Sequence, residues 1–179
     1  MRQIVGSIEG EYRRYKKLGE EAIQQVTDEQ LCLVSATPGN SIATLVWHIS
    51  GNLASRFTDF LQSDGEKPWR DRDEEFLHRT VLRAELREKW ERGWMVLLGT
   101  LADLDDERLH ALVKIRGVAL SVVEALHRSL AHTSYHVGQI VFLAKALRGA
   151  EWRYLTIPPG GSAVYNENPF AEKPPRSSP

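Results

Sequence analysis

Two histidines lie one helical turn apart in the segment LAHTSYHVGQIV, residues 130–141. Apolar residues recur around them at the spacing of an α-helix, so His132 and His136 are predicted to share one side. They would lie about 40° apart around the helix and about 6 Å apart along its axis. One helix can supply two ligands to a single metal ion in this way. His127 would point to nearly the opposite side, so it is not a candidate.

A metal site built on this pair needs a further protein ligand, because two imidazoles leave a tetrahedral or larger coordination sphere incomplete. His48, in the segment LVWHIS, is the candidate from another predicted helix. Its side of that helix carries small polar residues, which suit a pocket wall better than a solvent-exposed face. These residues are Thr44, Asn52, Ser55 and Asp59.

The sequence therefore predicts a metal site made of His48, His132 and His136. Residues that could orient the ligands or line a substrate pocket are Asn52, Ser55 and Gln139, although hydrogen bonding at the surface explains them about as well. The alternative for the three histidines is that they are core residues whose ring nitrogens are satisfied by hydrogen bonds.

Four amphipathic segments are predicted to position these side chains, because apolar residues recur in each at intervals of three and four. The predicted helices run from about Arg2 to Gln25, Ser41 to Gln62, Arg83 to Leu101 and Ser121 to Leu147. Ser121 and Glu124 form a capping-box pattern at the start of the last helix. A short hairpin or turn is predicted around Gly117, just before it. The predicted fold class is all-α, a four-helix bundle over residues 1–150.

The connection between the second and third predicted helices, residues 63–82, is much longer than the roughly two to eight residues that are typical of a bundle. It either crosses the length of the bundle or carries function, and it leaves room for the two helices to run parallel. It contains five acidic residues that could reach the histidines, but a solvated loop is the preferred interpretation for each. They are Glu66, Asp71, Asp73, Glu74 and Glu75.

Residues 151–179 hold six of the eight prolines and are predicted to form an irregular C-terminal tail. Its first part should pack on the bundle, and its last residues should be disordered.

Composition and charge narrow the class of protein. With 42% hydrophobic and 26% charged residues the chain is typical of a soluble globular domain. A net charge of −1 argues against nucleic acid or an anionic membrane as a partner. Cys32 is the single cysteine, which excludes an intrachain disulfide and fits a reducing compartment. Charges interrupt the N-terminus too early for a signal peptide, so a cytoplasmic location is predicted.

Four segments of the chain resemble the DinB/YfiT-like family of metalloenzymes, and within it a subgroup known only as a domain of unknown function. They are NSIATLVWHISGNLASRFTDFL, SDGEKPWRDRDEEF, WERGW and LAHTSYHVGQIVFLA. The most specific mark is one histidine on the second helix with HxxxH on the fourth. The resemblance extends over nearly the whole chain. It implies a DinB/YfiT-like four-helix bundle, often dimeric, that holds a divalent ion such as nickel or zinc with open coordination positions. Some relatives are thiol S-transferases that act with mycothiol, bacillithiol or glutathione.

The predicted function is a metal-dependent enzyme with a small-molecule substrate, either a hydrolase or a thiol S-transferase. A divalent ion on three neutral imidazoles could lower the pKa of bound water or of a low-molecular-weight thiol. The sequence shows no obvious acid–base partner, and the alternative is a non-catalytic metal-binding or stress-response module. A second apolar strip on the last helix predicts a homodimer; it consists of Ala131, Tyr135, Gly138 and Phe142.

Overall fold

The computed structural model describes residues 1–34 and 39–169, and these are mainly helical with one two-stranded antiparallel sheet. The predictions of a mainly helical fold and of a hairpin before the last long helix are therefore confirmed. The elements are α1 (Gln3–Gln24), α2 (Asp28–Cys32), α3 (Ile42–Phe57), α4 (Arg83–Ala102), β1 (Leu112–Ile115), β2 (Val118–Ser121), α5 (Val122–Arg148) and α6 (Ser162–Glu167), with 3-10 turns at Glu74–Phe76, Asp106–His110 and Gly149–Glu151.

The ends of α5 follow from local sequence chemistry. The Ser121 hydroxyl accepts a hydrogen bond from the Glu124 backbone N–H, and the Glu124 carboxylate accepts one from the Ser121 backbone N–H, as predicted. Gly149 follows the last helical residue with φ of 54°. In the hairpin, Arg116 and Gly117 both have positive φ, as a two-residue turn between twisted strands requires.

The second long helix, α3, ends at Phe57, five residues before the predicted end at Gln62. Thr58 is extended and Asp59 has φ of 48°, a left-handed conformation that Asp tolerates better than most residues. Phe60 is buried beyond this turn, so the apolar pattern continues although the helix does not. Asp59 therefore does not share a helical face with His48.

The buried face of α1 begins at Val5 and continues through Ile8 and Tyr12, whereas Ile4 is exposed.

Helices α3 and α4 run parallel, as the long connection allows. Near the start of α3, the Trp47 ring lies 5.6 Å from the Lys89 ammonium, and at its end the Phe57 carbonyl accepts a hydrogen bond from the Thr100 hydroxyl. Contacts thus advance in the same direction along both helices. Residues 58–82 must consequently return along the length of α3, which brings this loop past His48.

Helices α1 and α5 form the second parallel pair. The Tyr12 hydroxyl donates to the Leu126 carbonyl at 3.1 Å, and Gly19, two turns later, faces Val137. The core lies between the two pairs, where Tyr12 meets the Trp94 ring edge to face at 6.3 Å. Both aromatic side chains are fully buried.

The close contact of α3 with α4 depends on a glycine. A Cβ atom at Gly93 would lie 2.7 Å from the Ser50 Cα atom, so any side chain would push the two backbones apart. Within the described residues, no helix is both long and apolar enough to cross a membrane.

The segment after α5 returns to the body of the protein. The Gln25 side chain makes two hydrogen bonds to the Arg153 backbone: its oxygen accepts from the N–H and its nitrogen donates to the carbonyl. Trp152 and Leu155 pack against the core. The predicted irregular tail contains a short helix, α6, which corrects that prediction. The last residues of the tail are predicted to be disordered, and residues 170–179 lie outside the described residues.

Candidate metal centre

His48 lies at the middle of α3, which is the central helix of the protein. Every residue from Ser41 to Ser50 is buried, and the His48 side chain is 3% exposed. A helix that is apolar nearly all round is surrounded by other elements. Both ring nitrogens of His48 therefore need partners within the protein, because an unpaired buried polar atom is costly.

The three predicted histidines come together where α3 meets α5. The Nε2 atoms of His48 and His132 are 3.1 Å apart, and the rings of His132 and His136 have their centroids 4.6 Å apart. Their candidate ligand atoms all lie within 4.8 Å of one another. His48 and His136 are buried and His132 is half-buried. This group could hold a metal ion, and the identity of the ion is open.

The other nitrogen of His48 is held by a carboxylate from the long loop. Glu75 accepts a hydrogen bond of 2.9 Å from His48 Nδ1, and the side chain of Arg70 donates to both oxygens of Glu75 at 2.8 Å. Arg70 is 2% exposed. Burial raises the pKa of the Glu75 carboxyl. The hydrogen bonds and charges of Arg70 and His48 lower it by more, so the pKa lies below its usual value. Glu75 is therefore ionised at neutral pH.

Space for this carboxylate comes from a glycine on α3. A Cβ atom at Gly51 would lie 2.0 Å from Glu75 Oε1, a distance that no side chain could occupy. The loop is fixed nearby by Ser55, whose hydroxyl donates to the Gly65 carbonyl at 2.7 Å and accepts from the Lys67 N–H. Helix α3 thus carries His48, leaves room for Glu75 and anchors the loop that delivers it.

His136 has an outer partner of its own on α5. Its Nδ1 is 2.8 Å from the Gln139 side-chain oxygen, and the Gln139 amide nitrogen donates to the Tyr135 hydroxyl. In this orientation of the amide, its oxygen faces the imidazole and accepts from Nδ1. Gln139, a residue predicted to orient a ligand or line a pocket, thus lies in contact with a predicted metal ligand.

The hydrogen bonds select the tautomer that a metal ion requires. Because Glu75 is ionised and can only accept, His48 Nδ1 carries a proton, which leaves the Nε2 lone pair for a metal ion when the imidazole is neutral. Gln139 has the same effect on His136. Imidazoles that bind metal ions in proteins commonly donate their other N–H to a carboxylate or carbonyl oxygen in this manner.

Two imidazoles of the group are kept neutral as well. Burial lowers the pKa of His132 to about 3, and the neighbouring His136 and His48 act in the same direction. Burial also lowers the pKa of His136, against the hydrogen bond that it makes to Gln139. Both rings are therefore neutral at neutral pH, and neutral imidazole is the form that binds a metal ion. The donor set fits a divalent ion that accepts nitrogen ligands, and the ligand atoms lie close enough together to share one ion.

The two remaining predicted residues have different surroundings. Asn52 is buried and lines a small cavity together with His132. Ser55 is fully buried, but its hydroxyl anchors the loop and it does not line that cavity. Its predicted place in a substrate pocket is thus replaced by a structural role.

Sequence reasoning missed Glu75 and Arg70. It preferred a solvated loop for each of the five acids that it named there, and for Glu75 this is wrong, because the side chain is 5% exposed. No local pattern separates Glu75 from Glu74 beside it. The usable signal was the length of the loop together with the burial of His48, which required a partner for its second nitrogen.

The other histidines are placed as the sequence suggests. His78, His110 and His127 are all exposed. Within the described part of the chain, none of them belongs to the three-histidine group. His127 therefore offers a matched control on the same helix as His132 and His136.

A family model described as Protein of unknown function (DUF1572) matches residues 2–161, which is most of the chain. No curated protein matched the chain significantly, and no solved structure did.

Proposed function

The chain belongs to the family described as Protein of unknown function (DUF1572), and we propose from its site that it is a metal-dependent enzyme. The observation that carries the proposal is the convergence of three imidazoles from two helices, with Glu75 and Gln139 behind two of them. A histidine that served only the core would not need to lie beside two other imidazoles. Here the three rings lie together, and His48 and His136 each have a further partner on the other nitrogen.

The residues of the chain have separable tasks in this proposal. His48, His132 and His136 bind the ion, and a divalent ion held there would supply a Lewis acid that lowers the pKa of a water or thiol. Glu75 and Gln139 hold two of the rings in the binding tautomer. Phe76 packs on the His48 ring at 4.5 Å between centroids and limits access of water from the loop side.

The charged groups favour thiol S-transfer as the first candidate reaction and hydrolysis as the second. Among the described residues, Glu75 is the one buried acid, and it is already bonded to His48 and Arg70. It is therefore not free to protonate a leaving group. Attack by an activated thiol on an electrophile with a good leaving group needs no such acid, whereas hydrolysis of an amide does.

The first experiment measures metal content of protein purified without a polyhistidine tag. We expect about one nickel or zinc ion per chain, either in the purified protein or after the metal is added. Three imidazoles with solvent in the remaining position would bind one ion in this way. Metal-loaded protein should then turn over a low-molecular-weight thiol with an electrophile faster than it hydrolyses esters or amides. No metal uptake would overturn the proposal. Uptake without any turnover would favour a non-catalytic metal-binding or stress-response module.

The architecture proposed with this function is a DinB/YfiT-like four-helix bundle. It is supported by the pairing of α1 with α5 and of α3 with α4, and by the histidine positions. A cytoplasmic location belongs to the same proposal and is supported by the single cysteine. A small-molecule substrate, with no nucleic acid or membrane partner, fits the net charge of −1. A crystal structure in which the long helices pack in another arrangement would contradict the bundle.

We also propose that the protein is a homodimer through the outer strip of α5. Tyr135 and Phe142 are 63% and 71% exposed on that strip, which is unusual for large aromatic residues of a monomer. Sedimentation velocity should show about twice the mass of one 20.3 kDa chain, and Phe142→Ser should shift it towards monomer. Wild-type protein that sediments only as a monomer at high concentration would rule the dimer out.

A further inference from the structure

A small cavity opens beside the three-histidine group, and His132 forms part of its lining. Its volume is about 60 Å³. A water molecule needs about 10–15 Å³ of such space, while whole drug-sized ligands occupy about 300–1,000 Å³. The cavity therefore has room for the end group of a molecule and not for a complete substrate.

The walls of the cavity differ in character. Part of the cavity wall is apolar, and the rest consists of cationic side chains and Asn52. The residues that determine its chemistry are Phe57, Phe60, Ile115, Arg56, Arg128 and His132. The three apolar residues are buried, whereas Arg128 is exposed, so solvent reaches the cavity on the Arg128 side.

Arg56 enters this cavity with donors to spare. Its Nη1 donates to the Gly65 carbonyl at 2.7 Å and to Glu66 at 3.1 Å. Nε and Nη2 of Arg56 have no acceptor among residues 1–34 and 39–169. The side chain is 12% exposed and neither nitrogen is fully buried, so both remain open to an acceptor that enters from the cavity or from solvent.

Positive charge exceeds negative charge around the cavity. Glu66 is shared, because it also accepts a hydrogen bond of 2.9 Å from Arg116. Arg128 lies one turn before His132 on α5 and has no carboxylate partner in the described part of the chain. Burial outweighs Glu66 and lowers the pKa of Arg56, as expected for a cation with too little compensation.

We propose that this cavity, the Arg56–Arg128 pocket, binds a carboxylate group of the substrate or of a thiol co-substrate, with the reacting group placed at the three histidines. Guanidinium groups recognise the planar carboxylate through paired N–H donors. The small volume and the apolar wall suit a monoanion of this size better than a hydrated phosphate. The inference rests on the proposed function only in placing the reacting group, and the pocket itself can be tested without metal.

The test titrates propionate into metal-free protein and into zinc-loaded protein, with NMR of the histidine imidazoles as the readout. Propionate should bind saturably and shift the His132 signals, whereas the neutral propionamide should bind at least about tenfold more weakly. Arg128→Gln should weaken propionate binding by about tenfold, and Arg128→Lys by less. Arg92→Gln is the matched control, because Arg92 is exposed on α4 and pairs with Glu88.

Three results would overturn the pocket: equal affinity for propionate and propionamide, no effect of Arg128→Gln, or saturable binding of inorganic phosphate where propionate does not bind. Circular dichroism shows whether each variant is folded. Failure of metal uptake with intact propionate binding would refute the metal site and leave the pocket. Metal uptake without propionate binding would do the reverse, so the two proposals fail separately.

Discussion

Replacement of His136 by alanine is expected to lower the metal affinity by more than about 100-fold, so that the purified variant carries far less than one ion per chain. Loss of an outer-sphere partner alone typically costs about 10- to 100-fold in affinity, and loss of a ligand should exceed that. Two imidazoles, His48 and His132, would remain, and these do not complete a divalent site. Metal titration with a competing chelator measures the affinity directly.

The fold should tolerate this change. His136 is 9% exposed and its removal leaves a small gap between α3 and α5, for which a cost of about 1–3 kcal/mol in the free energy of unfolding is expected. Gln139 is half-buried and keeps its bond to Tyr135, so it is not left without a partner. Circular dichroism should accordingly show unchanged helical content.

His127→Ala is the control for this experiment. It removes an imidazole from the same helix at an exposed position and should change neither metal content nor stability measurably. If His136→Ala unfolds the protein while metal content in the wild type is already low, the histidines serve the core by hydrogen bonding. The metal proposal would then be withdrawn.

The three histidines were predictable from the sequence because helical spacing fixes direction. His132 and His136 lie four residues apart on α5, and an uninterrupted helix brings both to one side whatever else surrounds it. His48 could be added because α3 is also regular around it. That these two helices actually meet at these residues is a property of the packed fold, which the spacing alone did not determine.

The predictions that needed more than helical spacing were less successful. Ser55 was placed correctly on the inner side of α3, but its hydroxyl bonds to the loop at Gly65, a partner that no periodic pattern marks. The end of α3 depends on the left-handed conformation of Asp59, while the apolar pattern runs on to Phe60. For Ser55, a contact with the loop decides the role of a side chain whose direction helical spacing had given.

Glu75 is the clearest case of this difference. It lies in a loop without periodicity, next to Glu74 and among several charged residues, so composition favours a solvated position. Its burial depends on three contributions that come from separate places in the sequence: the charge of Arg70, the N–H of His48 and the space left by Gly51. Only the folded chain brings these together.

Substitution of Glu75 by glutamine tests that arrangement, and we expect it to lower both stability and metal affinity. Every neighbour of the two Glu75 oxygens is a donor: Arg70 donates to both, and His48 donates to one. The amide nitrogen of glutamine must therefore face a donor in either orientation, and the charge of Arg70 loses its partner inside the protein. Breaking a buried ion pair typically costs about 3–5 kcal/mol, and since the amide oxygen keeps part of the bonding we expect about 2–4 kcal/mol in urea unfolding.

The effect on metal binding follows from the same geometry. If the amide nitrogen faces His48, the imidazole must accept at Nδ1 and carry its proton on Nε2, which removes the lone pair that would bind the ion. A fall of about 10- to 100-fold in metal affinity is expected, as for other outer-sphere partners of metal-bound histidines. Glu88→Gln is the matched control, because Glu88 is 71% exposed on α4, and it should stay within about 0.5 kcal/mol of the wild type.

A double variant separates the two effects of Glu75. In Arg70→Met with Glu75→Gln the unpaired buried cation is gone, so much of the lost stability should return, since an apolar side chain of similar size can replace a buried ion pair. Metal affinity should stay low, because His48 still lacks a carboxylate to hold its tautomer. If affinity recovers together with stability, Glu75 acts on the ion only by keeping the loop in place, and the assigned role in orienting His48 is wrong.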